Sequence, residues 1–135
     1  MAKLILFDQL ARNCFRGSSR AFAYDDKALA IAQAIAGDEA LVASMPPASL
    51  HFVVSPMLHS ESLADQDAAL AINDEMAKRA PSVAGFARPS IIQHRDVIVR
   101  FGRFPHRNAK LGRQSTAEEE AWLASDQVPG WAKSQ

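Results

Sequence analysis

An all-α fold is what this sequence predicts, and three features predict it. Apolar residues recur at helical spacing through most of the 135 residues. Capping residues and stop glycines punctuate those stretches. No stretch alternates apolar and polar residues for long enough to make a secure strand. HFVV (51–54) comes nearest, and its wider pattern is helical. The length suits one domain, so residues 1–126 are read as a single helical domain and residues 127–135 as a loosely held tail.

Residues 2–15 read as the first helix, with Leu4, Phe7, Leu10 or Ala11, and Cys14 as its stripe. Leu4, Ile5, Leu6 and Phe7 make one turn apolar on every side, the mark of a turn buried all round. Cys14, on the stripe, is expected to be inert core. Asp25 or Asp26 caps an alanine-rich second helix that stops at Gly37. Pro47 suits the first turn of the next helix, whose stripe is Leu50, Val53, Val54, Met57 and Leu58. Pro56 is expected to kink or end it. Ser60 or Ser62 caps a helix over roughly residues 61–79, with Asp65 placed as in a capping box. On its stripe Gln66 is expected to bond buried backbone. Pro81 to Gly85 read as a loop, and Pro89 as the first turn of a helix ending near Gly102. That helix carries Ile91, His94, Ile98 and Phe101 on one face. FPHRNAKLG (104–112) reads as a loop with a short helical turn. Ser115 with Glu118, or Thr116 with Glu119, opens a last helix through Trp122.

Composition excludes several classes. The chain is 48% hydrophobic with zero formal net charge, which excludes intrinsic disorder. Its one cysteine rules out an internal disulfide and fits a reducing compartment. No apolar run approaches the roughly 18–20 residues of a membrane span, and the run Leu4–Phe7 is too short for a signal peptide. A cytoplasmic protein without membrane contact is expected. The zero charge hides a pattern: residues 1–20 sum to +3, 21–85 to −6, 86–113 to +6 and 114–135 to −3. A neutral chain with a basic block attracts anions locally.

That block supplies the candidate site. Arg100, Arg103, Arg107 and Arg113 bracket Phe101, Phe104 and His106, and Asn108 closes FGRFPHRN (101–108). Planar guanidinium forks suit carboxylate or phosphate. The competing reading is that these arginines pair with the acidic segments of the same chain. His94 on an apolar stripe reads as a buried, hydrogen-bonded residue. His59 and Glu61 join the candidates as acid–base groups, with Arg12 and Arg16 from the first helix. Asp8, Gln9, Arg12, Asn13 and Arg16 form a polar rim. Asp8 is either a surface partner of Arg12 or a buttress aiming it at the basic loop. No metal spacing, cofactor fingerprint or nucleophile elbow occurs, so no metal or cofactor is expected and the reading leans away from an enzyme.

Three segments together resemble a known family. FDQLARNCFRGSSRAFAYD (7–25), PMLHSESLADQ (56–66) and HRDVIVRFGRFPHRNAKLGRQST (94–116) resemble the bacterial family named domain of unknown function 924, classed with tetratricopeptide-repeat-like helical folds. The resemblance implies a packed array of helices and brings no established activity, cofactor or partner. Family members normally begin at least one helix earlier. With the all-round apolar first turn, that makes a homodimer through the first helix an expectation. The leading functional expectation is a helical scaffold or binding domain for a ligand, peptide or partner. The alternative is a binder or enzyme for a small anionic metabolite. Nucleic acid ranks below both, since the sequence pI near 6.9 is far from a basic domain's.

Overall fold

A computed structural model describes residues 1–133, and the described residues contain helices and loops but no strand. The chain starts with a rod made of α1 (Ala2–Leu4), a π-helical stretch (Ile5–Leu10) and α2 (Ala11–Cys14). A 3₁₀ turn (Ser19–Phe22) leads to α3 (Asp25–Ala36), α4 (Glu39–Ser44), α5 (Pro47–His59), α6 (Leu63–Ala77) and α7 (Pro81–Phe101). A second 3₁₀ turn (Pro105–Arg107), α8 (Ala117–Leu123) and α9 (Gly130–Lys133) follow.

The main core lies where α5 packs on α3, α6 and α7. Leu50, Val53, Val54 and Met57 of the predicted stripe are all buried there, against Ala32, Ala69, Ile72, Met76 and Ile91. Each such side chain contributes about 1.5–3 kcal/mol on burial. A second core gathers Val97, Ile98, Phe104, Trp122, Val128 and Ala132. Val128 and Ala132 come from the segment expected to be a loose tail; its last two residues, 134 and 135, lie outside the described residues.

Local signals explain most boundaries. Thr116 forms a full capping box with Glu119: its Oγ1 accepts from Glu119 N–H at 3.2 Å, and its own N–H donates to Glu119 Oε2 at 2.8 Å. Gly102 ends α7 with φ +67°, a left-handed turn that a side chain resists, and its N–H donates to Ile98 O at 2.8 Å. Gln66, fully buried, donates to the carbonyls of Leu58 and Ser60 at 2.9 and 2.8 Å, so it ties α6 to the end of α5.

Several expectations are corrected. Pro81–Gly85 is no loop: Pro81 opens α7, which runs through Gly85 and Pro89. Pro89 therefore sits inside a helix rather than in its first turn. The burial of Ala84 and Ile91 in the core on either side of it holds the helix together across the proline. Pro56 does not end α5, which continues to His59 with Pro56 buried. Tyr24, not an aspartate, is the N-cap of α3, because Asp25 is drawn to an arginine described below. Ser62 caps α6 in position but makes no cap bond; Asp65 instead accepts from Ser60 Oγ (2.6 Å) and Gln33 Nε2 (2.7 Å). Cys14 is exposed, not core. The first turn is not buried all round: Leu4 is buried but Leu6 is 52% exposed. The rod's buried face is Leu4, Asp8 and Ala11, and its predicted apolar stripe is turned partly outward.

Candidate functional site

The π-helical stretch carries Asp8 into the interior, where it is 2% exposed. Such one-turn π segments favour functional positions because they re-aim a side chain. A buried carboxylate is tolerated only when its lone pairs are filled, and four donors fill these. His59 Nδ1 donates to Oδ1 at 2.5 Å and Arg12 Nε to the same oxygen at 3.3 Å. Ser55 Oγ and Gln9 Nε2 donate to Oδ2 at 2.8 and 2.5 Å. Burial pushes the Asp8 pKa up, but the His59 bond, the Arg12 charge and Ser55 outweigh it and hold the carboxyl well below its usual range.

A carboxylate only accepts, so His59 carries its hydrogen on Nδ1 and its lone pair on Nε2. His59 ends α5, and Arg107 Nη1 donates to its carbonyl at 2.9 Å. Burial, with the Arg12 charge, lowers the His59 pKa to about 4 against the pull of Asp8, so the ring is neutral at pH 7. His94 is held in the same tautomer, its Nδ1 donating to Ser90 O at 2.7 Å. Burial lowers its pKa to about 3. Its ring stacks on Trp131 of α9 at 3.7 Å and lies 6.4 Å from the His59 ring, centre to centre.

Behind these groups a second carboxylate joins two arginines. Arg12 Nη2 donates to Asp25 Oδ2 at 2.7 Å, and Arg107 Nη1 lies 3.7 Å from that oxygen. Burial raises the Asp25 pKa against both guanidiniums. Burial also lowers Arg107, 5% exposed, to about 10, which leaves it charged at neutral pH. Its guanidinium lies over the Phe22 and Phe104 rings. Asp8 and Asp25 thus balance Arg12 and Arg107.

A cleft of about 320 Å³ opens beside this network, lined by Arg12, Arg16, Ser55, His59, Ser90, His94, Lys110 and Trp131 among others. Among the described residues its walls hold two arginines, a lysine and three histidines, and no aspartate or glutamate. Arg16 donates to Asn13 Oδ1 and makes no ion pair among the described residues.

The sequence candidates divide into two groups. Arg12, Arg16, His59 and His94 meet in the cleft. Glu61, Arg100, Arg103, Asn108 and Arg113 form a brace outside it. Arg113 clasps Glu61 at 2.6 and 3.0 Å, and Glu61 Oε1 also accepts the Phe104 N–H at 2.8 Å. Arg103 clasps Glu119 at 2.6 and 2.7 Å, and Arg100 pairs with Glu118 at 2.9 Å. Asn108 donates to Ser115 and Glu119 and accepts from Arg113. Arg107 joins the two groups, and His106 packs beside Trp131. Sequence reasoning missed Asp25, Ser55, His51, Lys110 and Trp131. It placed Asp8 on a polar rim, although its spacing from Leu4 and Ala11 already puts it on their face.

The sequence matches, over residues 1–127, the family described as bacterial protein of unknown function (DUF924). The chain belongs to that family. Among solved structures it is similar to a protein of unknown function, ATU0120, from Agrobacterium tumefaciens. The likeness has a TM-score of 0.78 at 33% identity over 91% of this chain, which spans 65% of that one. No curated protein shows significant similarity to the chain.

In this DUF924 chain the three segments of the motif meet in space. Residues 7–25 supply Asp8, Arg12, Arg16 and Asp25; residues 56–66 supply His59 and Glu61; residues 94–116 supply His94, the brace and Lys110. Among the described residues no group of three or more His, Cys, Asp or Glu could hold a metal ion. No helix among them is long and apolar enough to cross a membrane.

Proposed function

We propose that this DUF924 protein is a helical binding domain whose cleft takes one small anionic molecule bearing a phosphate or carboxylate. The carrying observation is the sign of the cleft: among the described residues its charged side chains are Arg12, Arg16 and Lys110, and no aspartate or glutamate lines it, in a chain of zero net charge. Low-dielectric walls of one sign focus the field on a ligand of the other. The volume of about 320 Å³ is at the small end for ligand pockets, and suits a metabolite better than a peptide. Arg12, Arg16, His59 and His94 face the ligand in this reading. Arg107 stands behind them, and Glu61, Arg100, Arg103, Asn108 and Arg113 hold the wall. Nucleic acid is not the ligand proposed, because Arg100, Arg103 and Arg113 are engaged with Glu118, Glu119 and Glu61. A cytoplasmic location is part of the proposal and rests on the lone cysteine. So is a second copy of the chain as partner for the outward Leu6 and Leu10, which are 52% and 47% exposed.

Thermal unfolding with inorganic phosphate and small mono- and dicarboxylates tests the ligand class. A ligand at about 100 times its Kd adds about 2.7 kcal/mol and raises the midpoint. Arg16→Ala is expected to abolish the rise and Arg103→Ala to leave it. No rise with any anion at millimolar concentration contradicts the proposal.

A further inference from the structure

We propose that His59 Nε2 is a general base in this cleft, taking the proton of an O–H group on, or bound beside, the anionic ligand; the ligand class is then a small hydroxylated anion. The inference rests on the anion reading above and adds a chemistry to it. The geometry carries it. Asp8 fixes the Nδ1–H tautomer at 2.5 Å, which leaves a lone pair on Nε2. Asp8 is itself fixed, with Ser55 and Gln9 filling Oδ2 so that Oδ1 stays turned to His59 and Arg12. Arg107 donates to the His59 carbonyl at 2.9 Å, so the backbone that carries the ring is tied down as well as its Nδ1. A histidine placed only for structure has little need of these supports, whereas a base must be held in one orientation. His59 keeps 13% of its side chain exposed, and its ring is part of the cleft wall.

The proton transfer balances simply. The ligand O–H bond breaks, its electron pair stays on the oxygen, and the proton joins the Nε2 lone pair. The imidazolium formed is faced by the Asp8 carboxylate, and the oxyanion formed faces a wall carrying Arg12 and Arg16. The charged and titratable groups around the ring are Asp8 and Arg12 on the rod, Asp25 at the start of α3, His94 on α7 and Arg107 on the second 3₁₀ turn.

The test uses the full chain and two probe anions of one carbon skeleton, lactate and propionate. Diethyl pyrocarbonate acylates unprotonated imidazole nitrogens, and mass spectrometry reads each histidine, with added free N-acetylhistidine as internal control. His59 is expected to react at pH 7, and lactate to protect it at about fivefold lower concentration than propionate, the ratio expected from about one neutral hydrogen bond. His59→Gln, which can still donate to Asp8, is expected to bind both anions equally. Nitrogen-detected NMR of the unmodified protein is expected to show His59 protonated on Nδ1. An unreactive His59, or protonation on Nε2, overturns the proposal whether or not the variant folds. Equal protection by both anions leaves the anion cleft standing and removes the base. Absence of protection and of binding by either anion removes both.

Discussion

Acidification from pH 7 to pH 5 singles out the two buried imidazoles. His59 and His94 have ordinary values of 6.5 when unfolded and about 4 and about 3 when folded. Between pH 6.5 and 4 the unfolded chain therefore binds protons that the folded chain refuses, so stability rises with pH across that window and falls on acidification. For an unfolded pKa of 6.5 the loss from pH 7 to pH 5 is about 2 kcal/mol per histidine, or about 4 kcal/mol for both. The depressed carboxyls of Asp8 and Glu61 add their losses as pH falls through the ordinary carboxylate range and below it, and Asp25, raised by burial, works the other way between its raised value and the ordinary one. Urea unfolding at both pH values is the assay. With a slope of about 1.5 kcal/mol/M the midpoint falls by about 2.5 M. His94→Phe keeps an aromatic ring on Trp131 and removes one titrating group, so the dependence should halve. A change under about 1 kcal/mol, or an undiminished dependence in the variant, refutes the reasoning.

Other substitutions probe the packing. Asp8→Ala leaves four donors facing a vacated site and is expected to cost about 3–5 kcal/mol, measured by the same urea titration. Trp131→Ala should cost about 3 kcal/mol and raise amide exchange at His94, since it strips the stack from that ring and opens the second core; an unchanged midpoint would show that α9 is not docked. Gly102→Ala should cost about 1–2 kcal/mol, because φ is +67° there. Light scattering should find a dimer that Leu6→Glu dissociates; a well-folded wild-type monomer would sink that partner proposal.

How much of this could be read from the sequence depends on the range of the interaction. The Thr116–Glu119 box, the Gly102 stop and the α5 stripe are local, and the sequence shows them. Gly85 and Pro89 are local breakers overridden by tertiary packing of the long α7, so the loop expected there is helix. Asp8 looked like a rim residue because its four partners come from both the rod and α5. Asp25 looked like a cap because the sequence does not show that Arg12 and Arg107 converge on it. The charge pattern was legible in part: the −6 and −3 segments do neutralise much of the +6 block, through Glu61, Glu118 and Glu119. Nothing local in the sequence indicates that the cations lining the cleft come from the rod and from Lys110, far apart in the chain. Only the fold joins them.

The most direct test of the account is a titration of the full chain with inorganic phosphate, followed residue by residue by NMR. Saturable shifts grouped on Arg12, Arg16, His59, His94 and Trp131 are expected, with Arg100 and Arg103 unmoved. Shifts centred on Arg100 and Arg103, or none at millimolar phosphate, would contradict it.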